Sequence, residues 1–148
     1  LVLMADFLAG LCHPDGQIAL FGDSAFGIAR HPADVLAAAS LLLDVQGRWS
    51  QARAGIYTAM LTGKWELPDH PIPGETPVRL VYPDSGYLIL PGGDDGDRLI
   101  LDNLPIGPDH IPAHGHCSIF SYELSAGGQR FIVDSGVEEY QPGPWRDF

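Results

Sequence analysis

The chain has 148 residues, of which 45% are hydrophobic and 18% charged, and this balance predicts a globular fold and excludes a disordered chain. Its length is enough for one ordinary domain with its own core. The formal net charge of −11 disfavours nucleic acids and anionic membranes as partners, and no apolar run is long enough for a membrane span. The same charge would repel an anionic polysaccharide unless a local basic patch overrides it.

The first half of the chain has the apolar periodicity of helices. A first helix, closing at residues 10–14, is predicted from a stripe at spacings of three and four, made by Leu1, Met4, Leu8 and Leu11. A second helix begins at Pro32, and its apolar stripe consists of Val35, Leu36, Ala39, Leu42 and Leu43. A third helix covers residues 49–61, with Gly63 as its C-cap.

A proline-rich linker follows at residues 67–76, because crowded prolines cannot continue a helix. After it the apolar period changes to that of strands, and five short strands are predicted at residues 78–82, 87–90, 98–101, 117–124 and 130–133. Glycine-rich turns between most of them indicate antiparallel pairing. The chain is therefore predicted to be α+β, with helices in residues 1–66 and a sheet in residues 77–148.

Both ends of the sequence have the character of internal positions. Leu1 is not an initiator methionine, and it lies inside an apolar-periodic segment that has no N-cap. The start also lacks the basic region of a signal peptide, and Phe148 is not followed by a polar tail. We therefore expect a fragment of a longer protein, whose remainder is a partner of these residues.

His114 and His116 are the first candidates for a functional site. They enter an aromatic β-type run one residue apart, so their imidazoles point to the same face of a strand. Neutral imidazole is a common zinc ligand, and two such residues can reach one ion. On spacing alone, one surface histidine beside one packed or hydrogen-bonded histidine explains the pair equally well.

Asp134, on the next strand, is the natural third ligand by sequence, but the expected hairpin register does not favour it. If Leu124 pairs with Arg130 around the glycine turn, Asp134 lies across from Phe120, roughly 13 Å along the strand from His116. A bulge, a strong twist or a different strand order is needed to bring them together. Near the turn, Glu123 and Arg130 are predicted to form a cross-strand salt bridge of small value.

Several short motifs occur in one order along nearly the whole chain. They are LCHPDG at residues 11–16, LFGDS at 20–24, YPDSGY at 82–87, GPDHIPAHGH at 107–116, FSYELSAGG at 120–128, VDSG at 133–136 and WRDF at 145–148. With these motifs the sequence resembles the heparinase II/III-like polysaccharide lyases, a family that includes heparin/heparan sulfate and alginate lyases.

The resemblance implies an incomplete (α/α) toroid joined to an antiparallel β-sandwich. Residues 1–66 would be the last toroid helices, and residues 77–148 the first sandwich strands. His114 matches a histidine at the active-site cleft, and His116 and Asp134 match two zinc ligands. The third zinc histidine would follow Phe148, and the main catalytic tyrosine and a toroid histidine would precede Leu1.

The implied activity is β-elimination at a uronic acid of an anionic polysaccharide, in a periplasmic or secreted bacterial protein with a structural zinc site. This fragment alone is expected to be inactive, because the main acid/base pair is missing. A cupin-like metal-binding domain is a competing interpretation, although its usual glutamate spacing does not match Glu123. A non-catalytic sugar-binding or structural module, whose histidines bind nothing, is another.

Overall fold

The computed structural model describes residues 1–68, 80–92, 96–103 and 120–136. Within them, three helices precede five strands: α1 (Val2–Gly10), α2 (Pro32–Leu42), α3 (Ile56–Thr62), β1 (Leu80–Tyr82), β2 (Tyr87–Pro91), β3 (Arg98–Asp102), β4 (Ser121–Ala126) and β5 (Gln129–Ile132). The strands form one antiparallel sheet in the order β1-β2-β3-β4-β5. The predicted α+β class and antiparallel pairing are confirmed. No helix in the described part of the chain could cross a membrane.

Helix α1 forms where its periodicity predicts, but it buries a different face. Leu1 and Met4 are 82% and 68% exposed, whereas Ala5 and Ala9 are buried. These two alanines belong to a core cluster whose other buried members are Leu36, Ala37, Trp49 and Ala52. Small side chains allow close packing of the helices, so the alanine face is the buried one, whereas Leu1 and Met4 lie on an exposed part of the helix.

Helix α2 begins with Pro32, as predicted, and the Nδ1 atom of its N-cap His31 accepts a hydrogen bond from the Ala33 N–H at 3.2 Å. Its predicted stripe is only partly correct, because Leu36 is fully buried whereas Leu42 is 61% exposed. Helix α2 also determines where α3 begins.

Helix α3 starts at Ile56, seven residues later than the predicted Trp49, and the Asp34 side chain explains the start. The Asp34 carboxylate accepts hydrogen bonds at 2.8–2.9 Å from the N–H groups of Gly55, Tyr57 and Thr58. Desolvation acts to raise the Asp34 pKa, but hydrogen bonds from Thr58, Tyr57 and Gly55 outweigh it and the pKa is lowered. The end of α3 at Gly63 is as predicted.

One face of the sheet packs on α1 and on the segment that follows it. Ile89 and Ile100 are buried there with Ala19 and Phe21. The approach is so close at Gly10, the last residue of α1, that a Cβ atom would lie 2.6 Å from Ile89 Cδ1. A glycine at this helix end therefore allows the helix to meet the sheet.

Polar and aromatic contacts reinforce the same junction. Arg98 in β3 donates hydrogen bonds to the carbonyl oxygens of Ala9 and Gly10 in the last turn of α1, and to that of Cys12 just after the helix. The Phe7 ring lies 4.7 Å from the ring of Tyr82, edge to face. The helices and the sheet are thus joined by both apolar and polar contacts.

The opposite face of the sheet is apolar as well. By strand alternation and register, it carries two cross-strand rows, Val81–Leu88–Leu101–Tyr122 and Leu90–Leu99–Leu124–Ile132. Val81 and Tyr122 are 49% and 46% exposed at the ends of the first row. Both faces of this sheet therefore carry apolar side chains.

Candidate functional site

Asp134, the described member of the predicted zinc site, lies just beyond β5, where its side chain forms an Asx-type turn with Gly136 at residues 134–136. Its Oδ1 atom accepts a hydrogen bond from the Gly136 N–H at 2.9 Å. Its Oδ2 atom has no hydrogen-bond partner among the residues that the structure describes. The carboxylate is therefore oriented through one of its two oxygens.

His114 and His116 lie outside the described residues, so the structure does not test their approach to Asp134. Within the described ranges, no group of three or more His, Cys, Asp or Glu residues could hold a metal ion. The predicted roles of His114, His116 and Asp134 therefore remain predictions.

The register of the β4–β5 hairpin differs by one residue from the predicted one. Ser125 pairs with Arg130 around the Gly127–Gly128 turn, whereas Leu124 was predicted to take that position. A bulge follows, and Leu124 pairs with Ile132. The two-residue glycine turn sets this register, and the bulge leaves Phe131 as an extra residue in β5, with 77% of its surface exposed.

A buried polar cluster lies on the inner face of the same hairpin, where it meets the segment after α1. His13, Glu123 and Ser125 are all fully buried. The His13 Nδ1 and the Ser125 Oγ share a hydrogen bond of 2.5 Å. On the other side of the ring, Nε2 lies 2.9 Å from Glu123 Oε2, although no aligned hydrogen bond at Nε2 is found in the described residues.

Arg130 completes this cluster and ties β5 to the helical half. Its guanidinium donates to Glu123 Oε2 at 3.1 Å, to both carboxylate oxygens of Asp15, and to the carbonyl oxygens of Gln17 and Ile18 at 2.8 Å. The predicted Glu123–Arg130 pair thus exists, but it is not the weak surface pair expected from its place beside a turn. Because Glu123 is fully buried, its charge depends on these partners.

Burial and charge shift the pKa values of groups beside this cluster. Desolvation acts to raise the pKa of Asp15, but hydrogen bonds from Arg130 and from the Gln17 N–H, with the charge of Arg130, lower it overall. Burial raises the pKa of the Cys12 thiol to about 11, and its Sγ atom donates a hydrogen bond to the Leu8 carbonyl oxygen. Cys12 is thus a buried, free and unreactive cysteine, whereas Cys117 lies outside the described residues.

The serine, histidine and glutamate of this cluster have the composition of a nucleophilic triad, but their burial excludes that role. All three residues are fully buried, so no substrate carbonyl can reach the Ser125 hydroxyl. What the arrangement can do is fix the segment after α1 against the β4–β5 hairpin.

Sequence analysis did not identify this cluster, although part of the signal was present. Glu123 and Ser125 are alternate residues of one strand, so they must share a face, and that face proves to be the buried one. Their partner His13 is 112 positions away from Ser125, and no local pattern links the two.

The loop at residues 20–24 is the second element beside Asp134. The Leu20 N–H donates to Glu123 Oε1 at 2.6 Å. Four residues later, the Ser24 carbonyl oxygen lies close to Gly136. A Cβ atom added to Gly136 would be only 2.6 Å from this oxygen. Residues of the helical half therefore line the turn that carries Asp134.

Comparison with known proteins identifies the family of the sequence. The heparinase II/III-like C-terminal family matches residues 75–148, which is half of the chain. The chain belongs to the heparinase II/III-like family. No curated protein and no solved structure matches it.

This heparinase II/III-like chain thus belongs to a family of polysaccharide lyases, which favours that class over a cupin-like domain. Proteins of this family are typically extracellular or periplasmic. The matched segment contains His114, His116 and Asp134, and also Glu123 and Arg130 of the buried cluster. His13 and the loop at residues 20–24 precede the matched segment, yet they contact it.

Proposed function

We propose that the chain is part of a lyase that cleaves a uronic-acid-containing polysaccharide by β-elimination, in a protein exported by a bacterium. The observation that carries this proposal is the family match over residues 75–148. That segment holds His114 as the group at the substrate cleft, and His116 and Asp134 as ligands of a structural zinc ion. Other parts of the protein would supply the third zinc ligand and the main catalytic tyrosine and histidine.

The two apolar faces of the sheet support the sandwich part of the proposal. One face is covered by α1 and the segment after it, and the other presents two complete apolar rows. A sheet that is apolar on both faces is typical of an inner layer, because an outer layer has a polar face toward water. We propose that a second sheet packs on the two rows and that α1 to α3 are the last helices of the toroid.

Asp134 fits the role of one zinc ligand by its own geometry. Carboxylate oxygens bind zinc, and the hydrogen bond from Gly136 orients the group while it leaves Oδ2 without a partner in the described residues. Zinc, when bound, would hold the sheet and the segment that carries His114 in one arrangement.

The reaction requires three events at the sugar. The carboxylate of the uronic acid is neutralised, a base removes the C5 proton, and an acid protonates the departing O4 oxygen. A histidine titrates near neutral pH, so His114 suits either charge neutralisation or assistance to proton transfer.

Incubation of the full-length protein with alginate, heparan sulfate and related uronate polymers tests the activity. The unsaturated product of β-elimination absorbs in the ultraviolet, so its appearance is the direct measurement. His114→Ala is expected to lower kcat by about 100-fold or more, the usual contribution of a positioned acid or base. If the wild type forms no unsaturated product from any of the uronate polymers, the proposal is contradicted.

His31→Asn is the matched control for the loss of a histidine. His31 is exposed at the N-cap of α2, and asparagine retains a capping side chain there. Its activity is expected to equal that of the wild type. Metal analysis after chelation and dialysis tests the zinc site separately, and a protein free of zinc would favour the non-catalytic interpretation of the histidines.

A further inference from the structure

We infer that Glu123 is a positioning residue that holds the loop at residues 20–24 against the turn at residues 134–136. The inference rests on the proposed function only where it treats Asp134 as a metal ligand. The coupling between the loop and the turn rests on the contacts of the described residues.

Glu123 is the anchor because both of its carboxylate oxygens are engaged in a fully buried setting. Oε1 accepts the Leu20 N–H at 2.6 Å, and Oε2 lies 3.1 Å from Arg130 Nη1 and 2.9 Å from His13 Nε2. Hydrogen bonds to an ionised group are roughly twice as strong as neutral ones, and burial shields these from water. The position of Leu20 is therefore fixed by β4.

Leu20 passes this constraint to the turn, since it contacts both partners. Its N–H is bonded to Glu123, and its side chain packs on Gly136, where a Cβ atom would be 3.2 Å from Leu20 Cβ. The Ser24 carbonyl oxygen makes a second close approach to Gly136. Gly136 in turn donates its N–H to Asp134 Oδ1, so the contacts run without a gap from Glu123 to Asp134.

The described part of the sheet does not extend to the turn. Strand β5 ends at Ile132, two residues before Asp134, so none of the ladder hydrogen bonds described for the sheet holds the carboxylate. The loop at residues 20–24 is the neighbour that packs on the turn in the described part of the chain. Loss of the Glu123–Leu20 hydrogen bond should therefore loosen the turn as well as the loop.

Hydrogen exchange of the full-length protein, followed by mass spectrometry, tests this coupling in Glu123→Gln. The one oxygen of the carboxamide then faces the charged Arg130 donor, so the NH₂ group faces the Leu20 N–H and the hydrogen bond to Leu20 is lost. We expect exchange at residues 20–24 and 134–136 to become about tenfold faster or more, the effect of one lost charge-assisted hydrogen bond. Exchange in β2 and β3 should remain unchanged.

Ser125→Ala is the matched control. Ser125 is fully buried on the same face of β4 and bonds to His13, but no hydrogen bond joins it to Leu20 in the described residues. This variant is expected to leave exchange at both segments unchanged. Faster exchange at the turn in Ser125→Ala would show that any damage to the cluster has this effect, and would overturn the specific role of Glu123.

Leu20→Ala distinguishes the contact of Leu20 with Glu123 from its contact with Gly136. It also tests the inference if Glu123→Gln does not fold. It keeps the backbone N–H for Glu123 but removes the side chain that packs on Gly136. We expect faster exchange at residues 134–136. Unchanged exchange there, or equally faster exchange in all segments of either variant, would overturn the inference.

Zinc retention provides a readout that distinguishes this inference from the proposed function. Glu123→Gln is expected to retain zinc about tenfold less tightly than the wild type. In a protein that already carries Asp134→Asn, the addition of Glu123→Gln should cause no further loss of zinc affinity. If the wild type binds no zinc, the ligand role of Asp134 is wrong, and the exchange data alone decide whether Glu123 positions the turn.

Discussion

At Gly136 the backbone has a conformation and an environment that exclude any side chain. Its φ of 63° lies in the left-handed region, and an added Cβ atom would be 2.6 Å from the Ser24 carbonyl oxygen. That oxygen belongs to the backbone, so it cannot move aside as a flexible side chain could. We predict that Gly136→Ala lowers the free energy of unfolding by about 2–4 kcal/mol, measured by chemical denaturation.

Gly63→Ala is the control that isolates the steric part of this effect. Gly63 ends α3 with a φ of 70°, but a Cβ atom there would meet nothing within 4 Å. Its substitution should cost only the backbone strain, about 1 kcal/mol. Equal losses in the two variants would show that the Ser24 approach is relieved at no cost, against the prediction.

The burial of individual polar residues was the feature of the site that the sequence predicted least well. The alternation of β4 indicates that Glu123 and Ser125 share a face, but their flanking residues Tyr122 and Leu124 are the more apolar pair. Apolar side chains are normally assigned to the core face, so the pattern favours the wrong side. The partners His13, Arg130 and the Leu20 N–H, brought together by the fold, make burial of Glu123 tolerable.

At the scale of elements, α1 is tied to the segment after α2 by a buried carboxylate. Asp6 accepts two hydrogen bonds of 2.7 Å from the Arg48 guanidinium and one of 2.9 Å from Trp49 Nε1. The hydrogen bond with Arg48 holds the pKa of Asp6 below its ordinary value of 3.8. A carboxylate with a lowered pKa in the folded state stabilises the protein above its ordinary pKa, and this contribution is lost as the pH falls through the folded pKa.

We therefore predict a pH-dependent effect of Asp6→Asn. At neutral pH the variant should be less stable by about 1–2 kcal/mol, a modest value because Arg48 is half exposed. The difference from the wild type should begin to shrink as the pH falls below the ordinary value of 3.8, and it should vanish once the pH has passed the lower pKa that Asp6 has in the folded protein. Urea denaturation followed by tryptophan fluorescence measures both values.

Asp44→Asn is a suitable comparison, because Asp44 is exposed and asparagine accepts its φ of 54°. Its effect should be within about 0.5 kcal/mol at either pH. A difference between Asp6→Asn and the wild type that stays constant into the acid range would contradict the assigned role of the ion pair.

Most elements could be predicted from the sequence because their signals are local. Strands β2, β3 and β5 lie within one or two residues of their predicted ranges, since a period of two between glycine turns needs no knowledge of the fold. The start of α3 could not be predicted in this way, because its cap is Asp34 from another helix. The buried face of α1 was also missed, since alanines rather than leucines pack against α2.

At the scale of the whole molecule, the helical half and the sheet are interdependent. The segment at residues 11–21 packs under the sheet, and Arg98, Glu123 and Arg130 each reach from the sheet to backbone groups of the first 20 residues. In the described residues, the helical half and the sheet therefore share one network of contacts.

The net charge of −11 leads to a prediction about the proposed reaction as a whole. The charge of these 148 residues repels a polyanionic substrate at long range, and salt screens this repulsion over about 10 Å at 0.1 M. The kcat/KM of the full-length protein should therefore rise a few-fold as salt increases from about 20 to 150 mM. A sulfated uronate polymer should show a steeper rise than a polymer that carries carboxylates alone, because its charge density is higher. A fall in kcat/KM over the same range would instead require a basic groove strong enough to outweigh the charge of the rest of the molecule.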